Sequence, residues 1–256
     1  MRLRRVWIAY LSAALIAELL LPFAPVATAV IDASVIVLAL TQFGLAQRSP
    51  LAIGDPASRL LPAVALLPLL RMLSLTMPVP ELPRLAWLVL AGAPLLVAVA
   101  ATARLTTMDV REMGLSHVSR DLISVGVAGF SIPVGILLGV VVPSAFDPSL
   151  DTPIGMGVAA AAVVSCAAIP EELVFRGVMQ PLMATAIGPV SVVVVALASG
   201  LTYVGTGSIL AVGLMTVVGL AYALEVARSG SMWAPIVGHG FLAVGALIVP
   251  PIVAAW

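Results

Sequence analysis

The chain has 256 residues, 62% hydrophobic and 9% charged, with zero formal net charge. A soluble domain is about half apolar and about a quarter charged, so an ordinary water-soluble fold is excluded, and without a basic excess there is no nucleic-acid footprint. The single cysteine, Cys166, sits in an apolar run and excludes a disulfide framework.

The first element is an apolar run behind Met-Arg-Leu-Arg-Arg. A cleaved signal would end at small residues before a soluble domain. Here apolar sequence continues past Pro22 and Pro25, so the run reads as an uncleaved first membrane helix. Apolar stretches near the roughly 20 residues needed to span a bilayer then follow one another. The expected spans are 6–24, 27–46, 60–78, 85–103, 122–143, 153–178, 188–205, 208–226 and 233–255. The fold class is therefore all-α, a polytopic transmembrane bundle of about eight or nine spans. The longest polar connection runs from Arg104 to Asp121 and contains His117, which reads as a solvated loop histidine. A second, Ser144 to Thr152, carries Asp147 and Asp151 and no Arg. Small residues that let helices approach closely in lipid recur at Gly135, Gly139, Gly200, Gly205, Gly213 and Gly219.

All twelve basic residues are Arg, and the chain contains neither Lys nor Asn, a bias that fits a GC-rich bacterial genome. Cytoplasmic connections are enriched in basic residues. With the N-terminus inside, nine alternating helices put ten of the twelve arginines on the cytoplasmic side, Arg176 and Arg228 among them. Arg84 falls outside and Arg71 within the third span. The expected location is the bacterial cytoplasmic membrane.

A carboxylate in hydrocarbon costs at least about 2.5 kcal/mol on insertion scales, which makes intramembrane charges functional suspects. Glu18, Asp32, Arg71, Glu171, Glu172, Arg176 and Glu225 qualify, most densely in Pro170-Glu171-Glu172-Leu173-Val174-Phe175-Arg176. Pro170 must kink a helix or open one, which would set both glutamates near exposed backbone N–H groups. Glu172 and Arg176, four apart, share a helix face and can pair. Glu171 is turned about 100° away and is left free. It suits a general base acting on water. The same residues would also serve as a purely structural ion pair beside a polar pocket. His239 lies about two turns into the last span. With Arg176 and Arg228 taken as markers of one membrane face, Glu171 and His239 are expected at similar shallow depth in a pocket reached from the cytoplasm.

Together these residues resemble the CAAX-protease and bacteriocin-processing family of intramembrane glutamic endopeptidases. Glu171, Glu172 and Arg176 match its Glu-Glu-x-x-x-Arg motif, with Phe175-Arg176-Gly177 as context. Glu225, Arg228-Ser-Gly-Ser-Met-Trp-Ala-Pro and His239 resemble its final motif region. The resemblance covers roughly residues 115–256 as a membrane core, while 1–114 supply N-terminal helices. It implies the CAAX prenyl endopeptidase fold, Glu171 as base and His239 as oxyanion donor. The chain departs from the pattern twice. Thr202 and Thr206 stand at the Phe and His positions of the second motif, and Ala243 ends the third. That leaves Thr206 as the water's second partner and deletes one donor. Thr206, Tyr203 and Gln180 are the polar candidates nearby. No cofactor is expected, and no metal, since His-Glu-x-x-His is absent and only one histidine is intramembrane.

The expected function is a membrane endopeptidase, with Glu171, Glu172, Arg176, Thr206 and His239 at its site and a membrane-associated or lipidated peptide as substrate. Two alternatives stand beside it. One is an inactive family member acting as scaffold or regulator. The other is a transporter, motivated by Glu18, Asp32 and Arg71; no inverted repeat is visible.

Overall fold

The computed structural model describes residues 2–48, 55–76, 84–142 and 152–254. Among these the chain is all-α and forms nine helical rods. They begin with α1 (Arg2–Leu20) and α2 (Pro25–Ala46). Helices α3 (Pro56–Val64) and α4 (Leu66–Thr76) form one broken rod. Then come α5 (Arg84–Leu105), α6 (Leu122–Val141) and α7 (Pro153–Ile187). Helix α8 (Val190–Leu201) runs into a 3₁₀ turn, Thr202–Thr206, and α9 (Ile209–Ser229) and α10 (Trp233–Ala254) follow. Six rods, α2, α3–α4, α5, α6, α7 and α9, are long and apolar enough to cross a membrane. This is the fold class of an integral membrane protein. Asp147 and Asp151 of the acidic connection lie outside the described residues.

Local chemistry fixes the helix ends. Pro25 and Pro56 open α2 and α3, where a missing N–H costs nothing. Asp121 caps α6 by accepting from the Ser124 N–H at 2.8 Å, and Ser208 caps α9 by accepting from the Ala211 N–H. Helix α9 stops at Gly230, whose φ of 66° is a left-handed closure that glycine adopts without strain. The α3–α4 rod breaks at Ala65 because Pro68, one turn on, cannot donate to the Val64 carbonyl.

The outer surface is apolar, with Val97, Val125, Val140, Val193 and Val217 all more than half exposed, as a lipid-facing belt requires. Inside, α3 and α4 are enclosed, with Leu60, Leu61 and Leu67 fully buried among α1, α5, α7 and α8. A second core joins α6, α9 and α10 through Leu138, Met215, Tyr222 and Leu242. Gly135 of α6 lies so close to the Leu242 backbone that a side chain could not fit between them. Gly213, by contrast, faces open space and packs nothing.

The connections sort to two ends. At one, the 106–121 segment docks on the turn after α9 and on the start of α3. His117 Nε2 lies 3.0 Å from the Ser229 carbonyl, Arg59 pairs with Glu112 at 3.4 Å, and Arg228 grips Asp121 at 2.8 Å. His117 is thus a docking residue rather than a merely solvated one. Buried Glu225 belongs to this cluster through Ser124 and Arg228. The other end carries the Thr202–Thr206 turn and the C-terminal end of α6.

Candidate active site

Helix α7 does not break at Pro170. It continues to Ile187 with the ladder widened to π geometry at Val164–Ala168 and again at Leu173–Met179. Each widened turn precedes a proline, Pro170 or Pro181, which has no N–H to return to the carbonyl four residues back. The expected kink or fresh helix start is absent. Glu171 and Glu172 therefore sit halfway along a rod of 35 residues, and a helix-terminus field plays no part in holding them. Arg176 is also corrected: it is 2% exposed in mid-helix and does not mark a membrane face.

The four charged groups of the motif converge. Arg176 donates to Glu172 Oε1 at 3.2 Å, to the Ser199 hydroxyl at 3.1 Å and to the Gly219 carbonyl at 3.0 Å. Gly219 is what permits this, since a Cβ there would lie 3.0 Å from the guanidinium. His239, on α10, places Nδ1 2.8 Å from the same Glu172 oxygen and Nε2 3.7 Å from Glu171 Oε2. Glu172 is thus locked between Arg176 and His239, with its side chain 1% exposed. Glu171 keeps 27% of its side chain exposed, and its nearest cationic partner is the outer nitrogen of His239.

That exposure is to cavities. One, of about 210 Å³, is lined by Glu171, His239, Tyr203, Thr206 and Ala243, with apolar walls from Leu138, Val163 and Leu242. It brings together the positions expected from all three motifs. The other, of about 320 Å³, shares Glu171, Tyr203 and Thr206 and adds Arg71, Ser74 and Trp87 from the N-terminal helices. Residues before 115 thus help to build the cavity walls and do more than add spans. The first cavity runs from the level of Glu171 towards Val142 and Thr206. That is away from the end bearing Arg59, Arg111 and Arg228. The lining thus extends away from the arginine-rich end from which the sequence expected the pocket to be reached.

Thr206 lines both cavities, but its hydroxyl donates to the Tyr203 carbonyl at 2.7 Å. Ala243 offers no polar atom. Gln180 points elsewhere, donating to the Ala223 carbonyl at 2.8 Å. Two residues outweigh their sequence signal. Tyr203 lines both cavities and the small void beside Arg176. Arg71 holds Glu18 in a buried pair and donates to the Thr202 carbonyl at 2.6 Å. A charge inside the third span was the only sequence sign of that role. Asp32 is buried near them with Oδ2 unpartnered.

A polytopic helical bundle with a glutamate–arginine–histidine cluster facing an internal cavity defines a class: membrane-embedded proteins with a polar site inside the bundle. Residues 153–245, from the start of α7 into α10, match the family model for type II CAAX prenyl endopeptidase Rce1-like proteins. The matched segment carries Glu171, Glu172, Arg176 and His239. No curated protein and no solved structure was found to match the chain.

Proposed function

We propose that the protein is a membrane endopeptidase in which Glu171 activates a water for attack on a peptide bond of a membrane-associated substrate. The observation that carries the reading is the division of labour between the two glutamates. Glu172 is spent on Arg176 and His239, while Glu171 faces the cavity that His239 also lines. Glu171 takes a proton from water, the hydroxide adds to the carbonyl carbon, and the C–N bond breaks as the proton passes to the leaving amine. With His239 protonated, the two carboxylates balance a guanidinium and an imidazolium, so the set is neutral in a medium that penalises net charge. The Nδ1–H then donates to Glu172, and the Nε2–H faces the cavity as oxyanion donor. Glu172 and Arg176 orient His239. Thr206, at the position of the family's second-motif histidine, lies beside the water.

A second reading has its own support. At the two positions where the family carries polar groups, Thr206 has committed its hydroxyl to backbone and Ala243 has none. These favour an inactive scaffold or regulator. The transporter reading is weakened at Glu18 and Arg71, which are paired with each other, and keeps only Asp32. Hydrolysis of a peptide panel by purified protein and its Glu171→Ala form decides. The peptidase reading expects turnover by the first alone; equal turnover, or none from either, sinks it.

A further inference from the structure

The site as described has one oxyanion donor, His239, where Ala243 leaves a gap. We propose that the Tyr203 hydroxyl supplies the second donor, so that Tyr203 is a catalytic residue of this chain. The proposal rests on the peptidase reading above.

Elimination among the polar side chains around Glu171 comes first. The Thr202 hydroxyl donates to the Ser199 carbonyl at 2.7 Å, and that of Thr206 to the Tyr203 carbonyl. Ser199 accepts from Arg176 and donates to the Ala196 carbonyl. Tyr222 is paired with Ser131 at 2.7 Å, and Ser74 donates to the Arg71 carbonyl at 2.8 Å. His239 Nδ1 is held by Glu172. Buried Arg176 Nε lacks a partner but lines only the small void; of the donors lining the two larger cavities, the Tyr203 hydroxyl and Trp87 Nε1 join His239 Nε2 as uncommitted. Trp87 lines only the cavity that His239 does not reach. Tyr203 lines every cavity that Glu171 lines, including the one shared with His239.

Tyr203 is also held in place. Its ring packs against the Leu138–Met215–Tyr222–Leu242 core. Its backbone belongs to the 3₁₀ turn whose first carbonyl, Thr202, is gripped by Arg71, itself fixed by buried Glu18. Behind the turn, Gly205 leaves room for the guanidinium: a Cβ there would lie 3.3 Å from Arg71 Nη1. A donor on so fixed a turn costs little reorganisation when charge develops. As hydroxide adds to the carbonyl carbon, its oxygen takes the electron pair of the π bond and accepts hydrogen bonds from His239 Nε2–H and Tyr203 O–H. The pair returns when the C–N bond breaks, and Tyr203 keeps its proton throughout.

The test is steady-state hydrolysis in detergent or liposomes by the full chain and by its Tyr203→Phe, Thr206→Val and Glu171→Gln forms. Tyr203→Phe is expected to lose about 10²-fold in kcat, the range for one oxyanion donor. KM should stay within about twofold and the melting temperature unchanged, because the hydroxyl makes no structural bond. Thr206→Val should lose less. A Tyr203→Phe form that keeps more than half the wild-type kcat, or that changes KM alone, overturns the assignment while wild type still outpaces Glu171→Gln. Wild type no faster than Glu171→Gln overturns the peptidase reading, and this proposal with it. Should Tyr203→Phe lower the melting temperature, 3-fluorotyrosine at 203 replaces it: its altered hydroxyl must change kcat, and an unchanged kcat overturns the assignment.

Discussion

Among the described residues two carboxylate–guanidinium pairs are buried on both sides, and they differ in what stands next to them. Glu172–Arg176 lies in the family segment. Its carboxylate also binds His239, and its sequence neighbour Glu171 opens onto the cavities. Glu18–Arg71 lies in the N-terminal helices. Its arginine spends itself on Glu18, Ser74 and the Thr202 carbonyl. Both pairs carry the desolvation cost of buried charge. The first holds a histidine, which the proposed reading uses for chemistry, and the second holds a turn. A buried ion pair therefore signals function only through what it presents to open space.

Breaking the first pair's neighbour should give the largest effect. Glu171→Gln is expected to lower kcat by about 10³-fold or more while the melting temperature holds, since the ionic contact of Glu171 is the long 3.7 Å approach of His239 Nε2. Its loss in rate without loss of fold is the signature that sets it apart from Glu18. Arg71→Met should do the reverse in kind. Leaving Glu18 buried and unpaired costs about 3–5 kcal/mol, read as a lower melting temperature in detergent. A Glu18→Leu/Arg71→Leu chain should recover much of that stability, but with the Thr202 carbonyl released, not the full rate.

A gain of function sharpens the comparison next. Thr206→His with Ala243→Asn restores the family's polar groups around the cavity and is expected to raise kcat by about tenfold, measured on the same peptides. The smallest effect belongs to the arginine-rich end. The Arg228 guanidinium and the Ser124 N–H hold the Asp121 carboxyl well below the usual carboxylate range. A depressed carboxyl stabilises the fold above its unfolded value, about 3.9, and that contribution fades only as pH falls through its lowered folded value. Stability should therefore not change through Asp121 between pH 7 and pH 5. Melting curves of wild type and Asp121→Asn should run parallel over that interval.

The fold was legible in the sequence where the signals are local. Apolar runs placed the helices. The Glu-Glu-x-x-x-Arg spacing also gave the Glu172–Arg176 pair, because residues four apart meet on any helix. The rest depended on information outside any window. Pro170 looked like a break, but π geometry absorbed it and kept Arg176 inside one continuous helix. The grip of Arg71 on Thr202 spans 131 positions, and no periodicity encodes it. Tyr203 was one polar candidate among three until the cavities showed which face of the turn it occupies. The cavity's lining comes likewise from separate helices, and we propose that it opens away from the arginine-rich end. Cysteine labelling tests it in a Cys166→Ala background: Thr206→Cys and Arg111→Cys should react with an impermeant reagent from opposite sides of the membrane.

The central claim is that Glu171 and His239 act as one unit on one water. The kcat values of Glu171→Gln, His239→Gln and the double variant test it most directly. Groups that act as a unit are strongly non-additive, so the double variant should be no slower than the slower single within about threefold. Losses that multiply, or a Glu171→Gln form as fast as wild type, would contradict the account.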